Sequence, residues 1–244
     1  MKKIYIVPNF VTTLNMLFGF FSMIESIRGE FLTAAWAIVG ASIFDGLDGR
    51  IARLAKATSS FGVEYDSLSD LVSFGMAPTL LVYLWLLEPY GRLGWLASFL
   101  FLVCGALRLA RFNVTSSVLP KAYFQGLPIP IAAGVMTTFV IFQNALKFPE
   151  GRALSMVGFS FVVGLGVLMV STLPFPSFKE VNWRSKANAG VLMVLLLITI
   201  FVAIRPEVTV FLGLLAYVVF SLIWDLIAYF KGTLPKGRIS EKEL

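Results

Sequence analysis

The chain has 244 residues, of which 58% are hydrophobic and 14% are charged, and its mean hydropathy is +0.85. Soluble domains carry about a quarter charged residues, so this composition excludes a water-soluble globular protein and indicates an all-α, polytopic integral membrane bundle. The net charge of +6 suits anionic lipid headgroups rather than nucleic acid, because the basic residues are scattered and form no aromatic-interleaved stripe.

Apolar stretches near bilayer length predict the membrane-spanning elements. There are about eight of them, at 10–27, 31–54, 66–87, 93–112, 127–146, 154–173, 187–204 and 208–230. Short segments rich in proline, glycine and charge separate them. We therefore expect a single transmembrane domain over residues 1–230 and a polar cytoplasmic tail over 231–244.

The distribution of basic residues predicts the orientation of these helices. Alternation through eight spans places 15 lysines and arginines on the side of the N-terminus and five on the opposite side. Cytoplasmic loops carry the excess of Lys and Arg. Both termini are therefore expected to face the cytoplasm, in a protein of the cell membrane.

Polar residues interrupt the start of the first helix. Asn9, Thr12 and Asn15 recur at helical spacing, at the membrane depth where acidic residues follow later in the chain. Asn9 and Thr12 have two possible roles that the sequence does not separate: capping of the helix N-terminus, or a place in a polar pocket.

Four aspartates occupy the end of the second helix and the start of the third. Asp45 and Asp48 are three apart and Asp66 and Asp70 are four apart, so each pair shares one helix face. Carboxylates at membrane depth are costly unless counter-charges or metal ions compensate them. The chain has no histidine and one cysteine, so oxygen ligands for a hard divalent ion such as Mg²⁺ are indicated.

The alternative for this cluster is a structural ion-pair network with Arg50, Arg53 and Lys56. Four aspartates at this spacing favour function, because ionisable groups inside membranes are usually functional. If the substrate is a phosphorylated lipid at the membrane interface, two ions held by these carboxylates could neutralise the charge of its phosphates. The small residue Gly49 would leave room beside the helix backbone, and Arg53 could reach a phosphate.

The same window carries a recognisable signature. D-x2-D-G-x2-A-R followed by G-x3-D-x3-D resembles the motif of the CDP-alcohol phosphatidyltransferase family of membrane enzymes, at positions Asp45, Asp48, Gly49, Ala52, Arg53, Gly62, Asp66 and Asp70. The resemblance implies that fold, a catalytic domain over 1–230 with its motif at 45–70, and two Mg²⁺ or Mn²⁺ ions on Asp45, Asp48, Asp66 and Asp70. It also implies that Asp70 is the general base. The implied CDP-diacylglycerol-binding residues are Asn9, Thr12, Gly49, Arg53, Thr58 and Ser59.

A second polar region follows the fourth helix. The strings A-R-F-N, at 110–113, and F-x-G-L-P-x-P, at 124–130, look like those of the serine-using branch of this family. The resemblance implies that L-serine is bound by Arg108, Arg111, Asn113 and Gln125, with an arginine on its carboxylate. The alternative is that the two arginines only anchor the helix at the membrane interface.

The expected reaction is therefore transfer of the phosphatidyl group from CDP-diacylglycerol to L-serine, with release of CMP. Choline, glycerol 3-phosphate and inositol phosphate are the alternative acceptors. A membrane transporter is the alternative from another class, although the acidic pairs have no counterpart in residues 127–230. Gly158, Gly164 and Gly166 indicate close helix packing, and we expect a homodimer.

Overall fold

A computed structural model describes residues 6–54, 59–115, 123–147, 149, 151–176 and 204–230. Seven helices within these ranges are long and apolar enough to cross a membrane, which confirms the predicted helical membrane protein. The predicted span at 187–204, except for its last residue, lies outside the described residues. So does the predicted tail at 231–244.

The described helices follow the predicted order, with bounds that differ by a few residues. In chain order they are α1 Ile6–Ile27, α2 Phe31–Leu54, α3 Ser60–Tyr90, α4 Arg92–Thr115, α5 Ile129–Leu146, α6 Arg152–Val170 and α7 Pro206–Phe230. The first begins four residues before the prediction, with Pro8 near its start, where a missing N–H costs little. Asn9 and Thr12 therefore lie within the helix, and the capping role considered for them is wrong.

The start of α3 differs most from the prediction. Ser59 caps this helix by accepting a 3.0 Å hydrogen bond from the Gly62 N–H, so the helix begins six residues earlier than expected. Asp66 and Asp70 therefore lie in its second and third turns. Both carboxylates lie beyond the first turn, so the partial positive charge at the helix N-terminus does not stabilise them.

Two wide turns interrupt the regular hydrogen bonding of α3. Over Leu71–Met76 and Tyr83–Leu87 the N–H groups of Ala77 and Glu88 donate to carbonyls five residues earlier. Pro78 lies between them and lacks an N–H, and wide turns relieve such breaks in the ladder. Asp70 lies directly before the first wide turn, and irregular turns of this kind are often found at functional sites.

Helices α1, α2 and α3 pack together at the N-terminal side of the bundle, and α5 lies at its centre. Ala132, Ala133 and Val135 of α5 are fully buried. Helix α7 is antiparallel to α5: Phe211 packs on Phe142 with ring centroids 4.7 Å apart, whereas Tyr217 lies near Phe175, a residue close to the other membrane face.

A two-stranded antiparallel sheet was not predicted. Strand β1, Tyr123–Gln125, pairs with β2, Pro174–Pro176. The strands follow α4 and α6, whose ends lie at the membrane face that carries the aspartates. Each strand has three residues, too few for the alternating pattern that identifies a strand in sequence.

Two of the three glycines that suggested a dimer pack against neighbouring helices of the same chain. Gly158 faces Leu86, and Gly166 faces the backbone of Phe101, so both admit neighbouring helices of the same molecule. A side chain at Gly164 would meet no described atom within 4 Å.

Candidate metal and substrate site

The aspartates of α2 and α3 converge at one end of the bundle. Asp45, Asp48 and Asp66 each present a carboxylate oxygen, and these oxygens lie within 4.8 Å of one another. The Asp70 side chain adjoins them and is within hydrogen-bonding reach of Asp45. Asp48 is buried, and one oxygen of Asp66 is buried without a hydrogen-bond partner among the described residues.

This arrangement fits a divalent cation. Carboxylates at such separation repel each other unless a positive charge lies between them. Among the described side chains an ion pair joins Arg28 to Glu25 at the opposite membrane face, and none involves the four aspartates. The donor set consists of oxygen, which Mg²⁺ and Mn²⁺ prefer, and the unpartnered oxygen of Asp66 is free to act as a ligand.

Helix α1 supports the acidic cluster through two polar side chains. The Thr12 hydroxyl donates to Asp48 Oδ2 over 2.9 Å, and Asn15 Nδ2 lies 3.5 Å from Asp70 Oδ1. The helices are also tied at their backbones, because the hydroxyls of Ser69 and Ser73 donate to the carbonyls of Thr12 and Asn15, both over 3.0 Å.

Asn15 was not among the predicted site residues. It is fully buried and its Oδ1 has no described partner. Its sequence signal was the three-residue repeat of Asn9, Thr12 and Asn15, which places all three on one helix face.

The residues predicted to bind the CDP group are only partly described. Asn9 Oδ1 and Ser59 Oγ both lie near Gly62, at 3.7 and 3.2 Å from the position of an added Cβ. A Cβ at Gly49 would meet nothing within 4 Å among the described atoms, which leaves open space above the helix. The side chain of Arg53 and all of Thr58 lie outside the described residues.

Arg108 of α4 is a buried cation beside the acidic cluster. It is 7% exposed, and its charge interacts with that of Asp70. Its guanidinium carbon lies 5.2 Å from the centre of the Phe112 ring, and its Nε has no hydrogen-bond partner in the described structure. A buried guanidinium with an unused donor is suited to an anionic ligand.

The other three predicted serine-binding residues have different surroundings. The Arg111 guanidinium donates to four backbone carbonyls, at Gln125, Met169, Val170 and Ser171. Asn113 bonds to the side chains of Ser67 and Glu64. Gln125 Oε1 is buried and has no described partner, so this amide retains an acceptor for a ligand.

Comparison with known proteins places the chain in a family. The family model described as CDP-alcohol phosphatidyltransferase matches residues 5–173, which contain all the side chains of this candidate site. Similar proteins are named CDP-diacylglycerol–serine O-phosphatidyltransferase. One from Helicobacter pylori is 40% identical over 222 residues, which cover 91% of this chain and 92% of that protein.

More distant relatives carry the same name. A Bacillus subtilis protein is 34% identical over 71% of this chain and 92% of its own length. A Methanocaldococcus jannaschii protein is 33% identical over 72% of this chain and 77% of its own length. With seven apolar helices, the converging aspartates and a family match over more than half of its length, this chain belongs to the CDP-alcohol phosphatidyltransferase family.

Proposed function

We propose that this membrane protein transfers the phosphatidyl group from CDP-diacylglycerol to L-serine, forming phosphatidylserine and CMP. The observation that carries the proposal is the approach of Asp45, Asp48 and Asp66 to within 4.8 Å beside the buried Arg108. The relatives from three genera bear the name of this activity, which supports serine as the acceptor.

The four aspartates hold divalent cations in this proposal. Asp45, Asp48, Asp66 and Asp70 would provide the ligands for two ions, Mg²⁺ or Mn²⁺. When bound, such ions neutralise charge on the diphosphate and on the departing CMP. Thr12 and Asn15 orient two of the carboxylates through their hydrogen bonds.

Asp70 is the proposed general base, and Arg108 the residue that binds the carboxylate of serine. The serine hydroxyl oxygen attacks the phosphorus that bears the diacylglycerol group, and its proton passes to the Asp70 carboxylate. The bond from that phosphorus to the oxygen of CMP breaks, and CMP leaves. Since the charges of Arg108 and Asp70 interact, a serine held on Arg108 would present its hydroxyl to the base.

The remaining polar residues divide between the two substrates. Asn9, Thr12, Gly49, Arg53, Thr58 and Ser59 are proposed to bind the CDP-diacylglycerol. The buried Oε1 of Gln125 can accept a hydrogen bond from the ammonium group of serine. The contacts of Arg111 and Asn113 with protein atoms favour Arg108 and Gln125 as the residues that touch serine.

The charge distribution supports a cytoplasmic active site in the cell membrane. Helix α6 ends at the aspartate face, where Arg111 binds Val170, and α7 runs antiparallel to α5 from the opposite face. These directions agree with eight crossings; the predicted span at 187–204, except for its last residue, lies outside the described residues. A homodimer also remains part of the proposal.

Product analysis with a panel of alcohols tests the function. Purified protein in detergent is given CDP-diacylglycerol and Mn²⁺ with L-serine, glycerol 3-phosphate, inositol phosphate or choline in turn. We expect CMP release and a phosphatidyl product with serine at a rate that exceeds the others by more than about a hundredfold. Faster turnover of any other alcohol would overturn the assignment of the acceptor.

A further inference from the structure

Arg111 is separated from Arg108 by one helical turn, and its guanidinium makes four hydrogen bonds to backbone carbonyls. Nη1 donates to the Val170 carbonyl over 3.0 Å. Nη2 donates to carbonyls of Gln125 at 3.0 Å, Ser171 at 3.1 Å and Met169 at 3.3 Å. One side chain of α4 thus joins the end of α6 to strand β1.

These hydrogen bonds help to cap the C-terminus of α6, because the last four carbonyls of a helix find no donor within the helix. The Val167 carbonyl accepts from the Ser171 N–H and the Leu168 carbonyl from the Leu127 N–H, both over 3.0 Å. Arg111 satisfies the remaining two, at Met169 and Val170. A cation also favours the negative end of the helix dipole.

Gly126 allows the strand to approach this helix end. Its φ of +78° is one that other residues rarely adopt, and an added Cβ would lie 2.7 Å from Arg111 Nη2 and 2.9 Å from the Ser171 carbonyl oxygen. The Gly126 N–H donates to the Leu173 carbonyl over 2.9 Å. Glycine is therefore required for the arginine, strand β1 and the end of α6 to meet.

We propose that Arg111 is a positioning residue, which builds the acceptor side of the active site by fixing Gln125 against the helix end beside Arg108. This inference rests on the proposed function. The backbone of Gln125 is held by Arg111, whereas its buried Oε1 is left without a described partner. Arg111 thus holds the backbone of Gln125 at the end of α6, one helical turn from Arg108.

The first test compares two acceptors. Serinol, 2-amino-1,3-propanediol, resembles serine but has a second hydroxymethyl group in place of the carboxylate. Arg111→Gln should lower kcat/KM by about ten- to a hundredfold for both acceptors, because misplacement affects either alcohol. Arg108→Gln should lower kcat/KM for serine much more than for serinol. Arg92→Gln, an exposed arginine at the other end of α4, should change neither.

The second test replaces the arginine by a covalent link. Tyr123 and Pro176 are paired residues of the antiparallel strands β1 and β2. Residues directly opposite each other in such a pair have Cα atoms about 4.5–5.5 Å apart, which suits a disulfide. The cysteine pair Tyr123→Cys/Pro176→Cys is introduced into a protein that carries both Arg111→Gln and Cys104→Ser. After oxidation to the disulfide, this protein should regain at least about a tenth of the activity that Arg111→Gln removes. The same pair under reducing conditions is the matched control. Gly126→Ala should reproduce the loss seen with Arg111→Gln.

A direct role for Arg111 would give the opposite pattern. Its Gln variant would then lose the preference for serine over serinol, and the cross-link would restore nothing. Either result overturns the proposal. Failure of the wild-type protein to use serine would instead overturn the proposed function, and the cross-link test would then be read with whichever alcohol releases CMP.

Discussion

The Thr12 hydroxyl lies 2.9 Å from Asp48 Oδ2, and this hydrogen bond joins α1 to α2 across 36 residues of sequence. Both side chains are buried. Hydrogen bonds that orient a metal-binding carboxylate affect the affinity for the metal although they do not touch the ion.

Thr12→Val keeps the shape of the side chain and removes the donor. We expect about a ten- to hundredfold weaker affinity for Mn²⁺, measured by calorimetric titration of the purified protein. Thr12→Ser keeps the donor and should bind Mn²⁺ as the wild type does, and equal affinity in the Val and Ser variants would contradict this role.

The aspartate cluster predicts metal-dependent activity. Chelation by EDTA should abolish CMP release, and Mn²⁺ or Mg²⁺ should restore it. Asp45→Asn, Asp48→Asn and Asp66→Asn should each lower turnover by more than about a hundredfold, because each removes one charged ligand. Glu30→Gln, an exposed change at the opposite membrane face, is the matched control.

For the same three variants we expect higher thermal stability without metal, in contrast to their loss of activity. Without metal, Asp45, Asp48 and Asp66 repel each other, so neutralising one should raise the Tm of the metal-free protein while abolishing activity. Thermal denaturation in EDTA measures this. A lower Tm for all three variants, or full activity in EDTA, would contradict the metal site.

Arg108 predicts selectivity for the carboxylate of serine. Arg108→Leu should raise the KM for serine by about ten- to a hundredfold, since hydrogen bonds to charged groups are worth about 1.5–3 kcal/mol. The KM for CDP-diacylglycerol should change much less. Ethanolamine, which has no carboxylate, should be a poor acceptor for the wild type. An unchanged serine KM would leave the arginine with only an anchoring role.

The membrane orientation can be measured with two exposed positions. In a Cys104→Ser background, Arg92→Cys should react with a membrane-impermeant thiol reagent in intact cells. Leu54→Cys, which is 86% exposed near the aspartates, should react only after permeabilisation. The reverse labelling pattern would place the active site outside the cell.

Gly19 predicts a packing requirement between α1 and α3. A Cβ there would lie 2.7 Å from Ser73 Cα, which is backbone and cannot move aside easily. Gly19→Ala should therefore destabilise the protein by about 1–3 kcal/mol, seen as a lower Tm. Gly164→Ala, where no described atom lies within 4 Å, should be neutral or stabilising. Equal Tm values for the two variants would contradict the close crossing.

The sequence allowed the helices and the aspartate pairs to be placed because both follow simple periodicities. Apolar runs of bilayer length mark the spans, and spacings of three and four place Asp45 with Asp48 and Asp66 with Asp70 on common faces. The start of α3 was misplaced because its first turns, around Ser60, are amphipathic and lie beyond the apolar run.

Contacts between distant segments could not be derived in the same way. Arg108 and Arg111 are both arginines at one helix end, and sequence offers no reason to assign one to a ligand and the other to backbone carbonyls. That difference depends on where the end of α6, about 60 residues later, meets α4. The same holds for β1 and β2, whose pairing is fixed by the helices that precede them.

The acidic cluster and its supports, Thr12 and Asn15, all come from the first 70 residues of the chain. Arg108 and Gln125 follow later in the chain, and two of the carbonyls that Arg111 binds belong to Val170 and Ser171. In the proposed function, the residues that would bind the phosphates are thus encoded in a different part of the chain from those that would bind the alcohol. On this proposal, mutations after residue 100 would alter the choice of alcohol during evolution while the metal and phosphate site of the first three helices is preserved.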